Sequence, residues 1–363
     1  MPINFQDVVS STYKNYSPEN GETAYKRLIK RTDIDIKKYD EDLVQFCYKT
    51  RSTKGWKWDF DTLLYCRGHL YDKSENKWFH AFPKFFETTQ LDISAEDMEL
   101  MRNSRFTSTK KMDGSLIIVF HHRGEWKFVT QRSITSPQAK WAKKRIDETK
   151  LNPSLTYLFE AIFDKNGMVV KYDFQSPILI GCSNADGIDF SHEDLYLITQ
   201  YIGTPVVEQV YQGRTFDEVL SIGRSLPGSE EGVVIKFLDG PFEGVRLKIK
   251  ADRYLVMQKF MGAISSSSVL DAVKKGTIAD LRATIPPELL SRFDEKANYI
   301  QGRISECERA INELLGSADF ADRKGTASVV FSKYPSIARM LLKIIFDSKF
   351  TPKDFRGLII KCI

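Results

Sequence analysis

The spacing of apolar residues changes character once along the chain, near residue 255, and the two halves call for different architectures. From about 57 to 250, short runs rich in β-branched and aromatic residues are bounded by Gly, Asp, Asn or Pro. "TLLYCRGHLYD", "SLIIVFHH", "WKFVTQ", "TYLFEAIF", "PILIGCS", "GVVIKF" and "VRLKIKA" all read as strands. "HHRGEWKFVT" predicts a hairpin turning at Arg123-Gly124. After Pro286-Pro287 the pattern is different. Phe293, Ala297, Ile300, Ile304, Cys307, Ile311 and Leu314 follow steps of four and three, one face of a long helix closed by Gly316. "SSSS" at 265–268 fits a polar turn, a hinge or a helix N-cap, and "YPSIARMLLKIIF" and "TPKDFRGLIIKC" read as further helices. The expected fold class is therefore α+β over 1–258, followed by an all-helical domain over 259–363. A length of 363 residues suits two domains.

Composition removes several classes of protein. With 42% hydrophobic and 28% charged residues the chain can bury a core, and no apolar stretch reaches the 18 residues of a membrane span. The N-terminal "MPINFQDVVSSTYKNYS" lacks the basic-then-apolar pattern of a signal peptide. Five scattered cysteines, with no CxxC pair, fit reduced thiols and a cytoplasmic location, not a disulfide scaffold or a zinc site. The net charge of +5 resides in 259–363, where 17 Lys/Arg face 12 Asp/Glu, while the remainder balances. Such a surplus can attract a polyanion, though it is also common on ordinary surfaces.

"TSTKKMDGSLIIVF" at 107–120 carries two lysines ahead of an Asp-Gly pair. Alone, Lys-x-Asp-Gly is an ordinary turn. The segments that follow change its meaning. "TYLFEAIF" places Glu160 within an apolar strand, and "SEEGVVIKF" places Glu231 before Gly232 at the mouth of another. "VRLKIKAD" puts Arg246, Lys248 and Lys250 on one strand face, which needs an anionic partner. Two carboxylates can offer oxygen ligands to a hard cation.

The ordered series "KMDGS", "FEAIF", "EEGVVIKF" and "RLKIK" resembles the covalent nucleotidyltransferase superfamily of ligases and capping enzymes. "YCRGHLYD" with Arg67, "FPKFFE" with Lys84 and "RSITSPQA" are more similar still to the ATP-dependent RNA ligase 1 family of T-even bacteriophages. The resemblance covers roughly 60–258. It implies an N-terminal nucleotidyltransferase domain, ATP-grasp-like, of antiparallel sheets with flanking helices. It also implies a phage or viral origin, an RNA substrate with 5′-phosphate and 3′-hydroxyl ends, tRNA among the candidates, and a monomer with no membrane partner.

By the family motif, Lys111 would be the nucleophile that attacks the α-phosphate of ATP and forms lysyl-AMP. Lys110, one residue out of register, reads as a surface charge at the edge of the nucleotide-binding set. Lys248 and Lys250 would neutralise the α-phosphate and favour an uncharged Lys111 amine. Arg67 and Lys84 would hold the outer phosphates, with surface ion pairs as their bland alternative. Glu231 would bind Mg²⁺ or Mn²⁺, and Glu160 the ribose hydroxyls or the same metal. Gly114 permits close approach of the backbone, Ser115 can donate a hydrogen bond, and Asp113 reads as the organiser of its turn. Tyr254 matches a family tyrosine but equally suits a core. No histidine is assigned to catalysis, and His121-His122 reads as exposed.

Two departures matter. Where many superfamily members place an aromatic residue against the adenine, this chain offers Ile178, Ile180 and Cys182, leaving the stacking partner unassigned. DNA ligases and capping enzymes carry an OB-fold after the Lys-x-Lys motif, and here that stretch is helical by period. The favoured expectation is an ATP-dependent RNA ligase, with its helical domain choosing the RNA. The alternatives are a DNA ligase or a GTP-dependent capping enzyme, and an RNA-binding protein that has lost the chemistry.

Overall fold

The computed structural model describes residues 2–12, 21–49, 58–164, 168–353 and 355–362. They form two compact units, Met1–Leu255 and Val256–Ile363.

The first unit is built on three four-stranded sheets. One is an antiparallel meander of Ile34–Lys38, Leu43–Tyr48, Arg67–Asp72 and Lys77–Phe79. A second orders Glu125–Thr130, Ser115–His122, Leu155–Ile162 and Ser176–Asn184, all antiparallel. The first two of these strands form the hairpin expected at Arg123-Gly124, where both residues have positive φ (50° and 79°). The third orders Phe86–Glu87, Arg246–Lys250, Gly232–Phe237 and Phe106–Lys111, antiparallel except at its Phe86–Glu87 edge. Helices pack on these sheets, among them Ala95–Asn103, Pro137–Lys143, His192–Ile202 and Phe216–Ser225.

Alternation decides which face of each strand meets the core. Leu247 and Ile249 are buried with Val233, Ile235 and Phe237, so Arg246, Lys248 and Lys250 share the opposite face. On the second sheet, Ile118, Phe120 and Leu158 pack toward Phe79 and Phe82, while Ile117, Val119 and Phe159 pack under the Pro137–Lys143 helix with Ala139 and Ala142.

Two local expectations are overturned. "TLLYC" is not strand: Phe60–Tyr65 is a helix, capped by Asp59, whose carboxylate accepts the Thr62 N–H at 2.8 Å. All of Thr62–Tyr65 are buried, so the apolar run carried no period to separate helix from strand. The strand begins only at Arg67. His122 is not exposed either. It is 3% accessible, and its Nε2 lies 2.8 Å from the buried Asp72 carboxylate.

The second unit is all helical among the described residues. It comprises Ser266–Lys275, Ile278–Ala283, Pro287–Leu315, Arg323–Lys333, Ala338–Ile345 and Arg356–Cys362, with Asp252–Ala263 carrying the chain across the boundary. All seven residues of the predicted apolar stripe on the long helix are buried, and Gly316 follows its last turn. Ser265 is an N-cap: its hydroxyl accepts the Ser268 N–H at 3.2 Å. All five cysteines are free. No helix among the described residues is long and apolar enough to cross a membrane.

Candidate active site

The register of the third sheet lays out the site in rows. Gly232 pairs with Lys111 on one side and Lys250 on the other; Val234 pairs with Thr109 and Lys248; Lys236 pairs with Thr107 and Arg246. Two residues of strand separate neighbouring rows, about 6.6 Å. The Lys111 row is rich in charge. Glu231, 5% exposed, accepts Lys111 Nζ at 2.7 Å on one oxygen and Lys250 Nζ at 3.2 Å on the other. Lys110 points to a different carboxylate, Glu230, at 3.6 Å.

Glycine is required twice at this end. Gly232 has φ +149°, and a Cβ there would meet the Ile249 carbonyl oxygen at 1.9 Å. A Cβ on Gly114 would meet the Ala161 carbonyl oxygen at 2.7 Å and Glu160 Cγ at 2.8 Å, so the loop after Lys111 lies directly on the Glu160 strand. Asp113 does more than shape its own turn. Its carboxylate accepts N–H bonds from Val169 (2.7 Å) and Val170 (2.9 Å) and the hydroxyl of buried Tyr254 (3.2 Å), tying two distant segments to the lysine loop.

A cavity opens beside this row. Its wall includes Arg67, Lys110, Lys111 and Glu160 at the charged end, then Phe82, Phe85, Ile180, Val207 and Val234. Lys84, Gly114, Glu231, Lys248 and Lys250 lie outside this lining. The last four are placed against it by the register and contacts above. Lys84 is held over three rings, Phe86 at 4.6 Å, Tyr48 at 5.4 Å and Trp58 at 5.7 Å from its ammonium. Burial and the neighbouring positive charges of Lys248 and Arg67 push the Lys84 amine down to about 7. Burial, with Arg67 and Lys111 nearby, pushes Lys248 down to about 8. Burial pushes the Glu160 carboxyl up to about 8 against the pull of Lys111, with Glu231 adding to the rise. This end thus gathers Arg67, Lys84, Lys110, Lys111, Lys248 and Lys250 around the buried Glu231 and Glu160.

At the far end Arg246 and Lys236 share one carboxylate. Asp189 lies 2.5 Å from Arg246 and 2.8 Å from Lys236, all three largely buried. Arg246 also stacks on Phe82 (4.5 Å to the centroid), as Arg67 does on Phe85 (4.4 Å). Sequence reasoning missed Phe82, Phe190, His192 and Lys236 as parts of this wall, and Asp189 as the partner of two of its cations. Only "FPKFFE" carried a local signal, through its density of aromatics.

No known family model matches the chain. A protein of Autographa californica nuclear polyhedrosis virus described as a bifunctional polynucleotide kinase/RNA ligase is 23% identical over 290 residues, covering 72% of this chain. The chain spans about two fifths of that relative's length (40%). Among solved structures, an archaeal ATP-dependent RNA ligase matches with TM-score 0.49 at 17% identity, covering 79% of each chain. A Naegleria gruberi RNA ligase matches with TM-score 0.40 at 18% identity, covering 50% of this chain and 58% of that one. A protein of Aquifex aeolicus described as an ATP-dependent DNA ligase matches with TM-score 0.45 at 16% identity, covering 88% of this chain and 81% of the other.

Proposed function

We propose that the protein is an ATP-dependent RNA ligase of the T-even type that joins 5′-phosphate and 3′-hydroxyl ends in the cytoplasm, with structured RNA such as tRNA as substrate. The observation that carries this reading is the lysine amine of Lys111, set on the wall of an apolar-lined cavity and bridged through Glu231 to Lys250. A nucleoside triphosphate placed with its base between Ile180 and Val234 brings its phosphates to the Lys111 row.

Lys111 Nζ then attacks the α-phosphorus. An N–P bond forms, the P–O bond to pyrophosphate breaks, and the amine gives up its proton. The group already bonded to that ammonium is the Glu231 carboxylate. Lys248 and Lys250 face the α-phosphate, and Arg67 and Lys84 the outer phosphates. Glu160, protonated near neutral pH, can donate as well as accept toward a ribose hydroxyl. AMP next passes from the lysine to the RNA 5′-phosphate, and the 3′-hydroxyl displaces it.

The donors near the phosphates are the Glu231 carboxylate and, once it gives up its proton, Glu160, and no cluster of three His, Cys, Asp or Glu suited to a metal occurs among the described residues. That set fits Mg²⁺ or Mn²⁺, which keeps waters and takes phosphate oxygens for most of its shell. Such a cation, when bound, supplies charge neutralisation on the phosphates.

Incubating the protein with each of the four α-labelled ribonucleoside triphosphates and Mg²⁺ tests the reading. ATP is expected to give an acid-labile labelled protein. Labelling by GTP alone favours a capping enzyme, and no labelling by any of the four ends the proposal.

A pH effect follows from Lys84 and Lys248. Both amines sit below the ordinary 10.5, so the free protein at pH 8 holds part of this pair uncharged. A polyanion beside them raises both, so ATP binding takes up roughly one proton or more at that pH. Calorimetry in buffers of different ionisation enthalpy is expected to show this uptake, and affinity falling as pH rises. A buffer-independent enthalpy contradicts the placement of the phosphates. For stability the sign is opposite to that of a salt-bridged lysine. The cost of charging these amines in the fold is present in full below about 7 and is relieved as pH climbs toward 10.5.

The helical unit is proposed to select the RNA. Removing 259–363 is expected to spare self-labelling and to depress ligation of structured RNA; equal loss of both overturns that division of labour.

A further inference from the structure

At the end opposite Lys111 the base pocket adjoins a second cavity, of about 510 Å³. Thr107, His192 and Lys236 line both. Thr107 and Lys236 are paired across the sheet two rows from Lys111, about 13 Å away. A nucleotide with its phosphates at the Lys111 row therefore turns the outer edge of its base toward the second cavity.

The second cavity is polar and basic. At its neck the Gln209 amide donates to Thr107 Oγ1 (2.9 Å), and the Gln212 amide donates to Gln209 Oε1 (3.0 Å). Arg102, Arg105 and Arg214 line it further out, 44, 78 and 58% exposed. Their partners are Asp217 and Glu99, Asp239, and Glu218. Exposed pairs of this kind contribute little and exchange partners readily. Glu193 is the acidic residue on the same wall. Tyr211 lies there too, with φ +57°, in a turn where its carbonyl accepts the Arg214 N–H at 3.3 Å.

We propose that this cavity is a subsite for a substituent on the purine 6-amino group, so that the protein accepts adenine nucleotides carrying an acidic or hydrogen-bonding group at N6. This rests on the ligase reading above. The base is then read through its faces, held between Ile180 and Val234, and not by closure around its outer edge. The reaction is unchanged: Lys111 forms its bond to the α-phosphorus, pyrophosphate leaves, and the adduct retains the N6 group.

Intact-mass measurement of the full chain distinguishes the outcomes. ATP, N6-carboxymethyl-ATP and N6-(6-aminohexyl)-ATP are each incubated with the protein and Mg²⁺. The carboxymethyl analogue is expected to form its heavier adduct within about threefold of the rate with ATP. The aminohexyl analogue, with its cationic tail among arginines, is expected to be slower by about tenfold. An ATP adduct with none from the carboxymethyl analogue overturns the proposal, whereas no adduct from ATP itself indicts the ligase reading instead. Gln212→Trp fills the second cavity from outside the base pocket. It is expected to keep the ATP adduct and to slow the carboxymethyl adduct by about tenfold or more. Unchanged rates with both nucleotides also overturn the proposal.

Discussion

Lys111→Ala is expected to reduce self-labelling by α-labelled ATP to background, a loss of more than about a thousandfold, because no other group can supply the nitrogen of the phosphoramidate. Lys110→Ala is the control. Its side chain turns to Glu230 while Lys111 turns to Glu231, so the two lysines differ in partner although adjacent in sequence. Lys110→Ala is expected to keep labelling within about threefold of the parent, since a partly exposed ion pair 3.6 Å apart contributes little. Labelling that survives in Lys111→Ala and vanishes in Lys110→Ala would falsify the assignment of the nucleophile. Circular dichroism of both variants should match the parent, because neither side chain belongs to the core.

Asp189→Ala is expected to destabilise the first unit severely. Lys236 and Arg246, 18% and 10% exposed, both rely on this carboxylate, which is itself 11% exposed. Those two cations hold Asp189 below the ordinary carboxylate range despite burial. Removing it leaves two positive charges facing each other across the strand pair, at a cost of about 3–5 kcal/mol. For a unit of this size that lowers Tm by about 6–20 °C. Adding Lys236→Met and Arg246→Met in the same chain is expected to recover much of the loss, because the apolar replacements remove the stranded charge. A Tm within about 1 °C of the parent for Asp189→Ala alone contradicts the account. The linkage with pH is equally direct. A depressed carboxylate gives stability that is present above its unfolded pKa and lost as pH falls through the folded value, so the difference between parent and variant should narrow in acid.

How far the sequence discloses this molecule depends on the range of each interaction. The long helix was legible because its apolar period is local and repeats over seven positions, all of which are buried. The alternation of Arg246, Lys248 and Lys250 with Leu247 and Ile249 placed three cations on one face by the geometry of a strand alone. "TLLYC" was not legible, because a run buried on every side has no period. Asp113 was read as a local turn-former, yet its carboxylate reaches Val169, Val170 and Tyr254, contacts between 56 and 141 residues away. The same reason hid Asp189 and His192. Each lies in a stretch with no motif of its own; His192 joins the wall, and Asp189 meets Lys236 and Arg246, only in the folded chain. His122 misled in another way: adjacency to a hairpin suggested exposure, while its position in the strand pointed it at Asp72.

The aromatic setting of Lys84 gives the molecule a built-in optical gauge. An indole, Trp58, sits 5.7 Å from an amine proposed to meet incoming phosphate, and any shift of that amine, or of its proton, alters the local field felt by the ring. Occupancy of the cleft can therefore be followed by the protein's own emission, without a dye and without turnover.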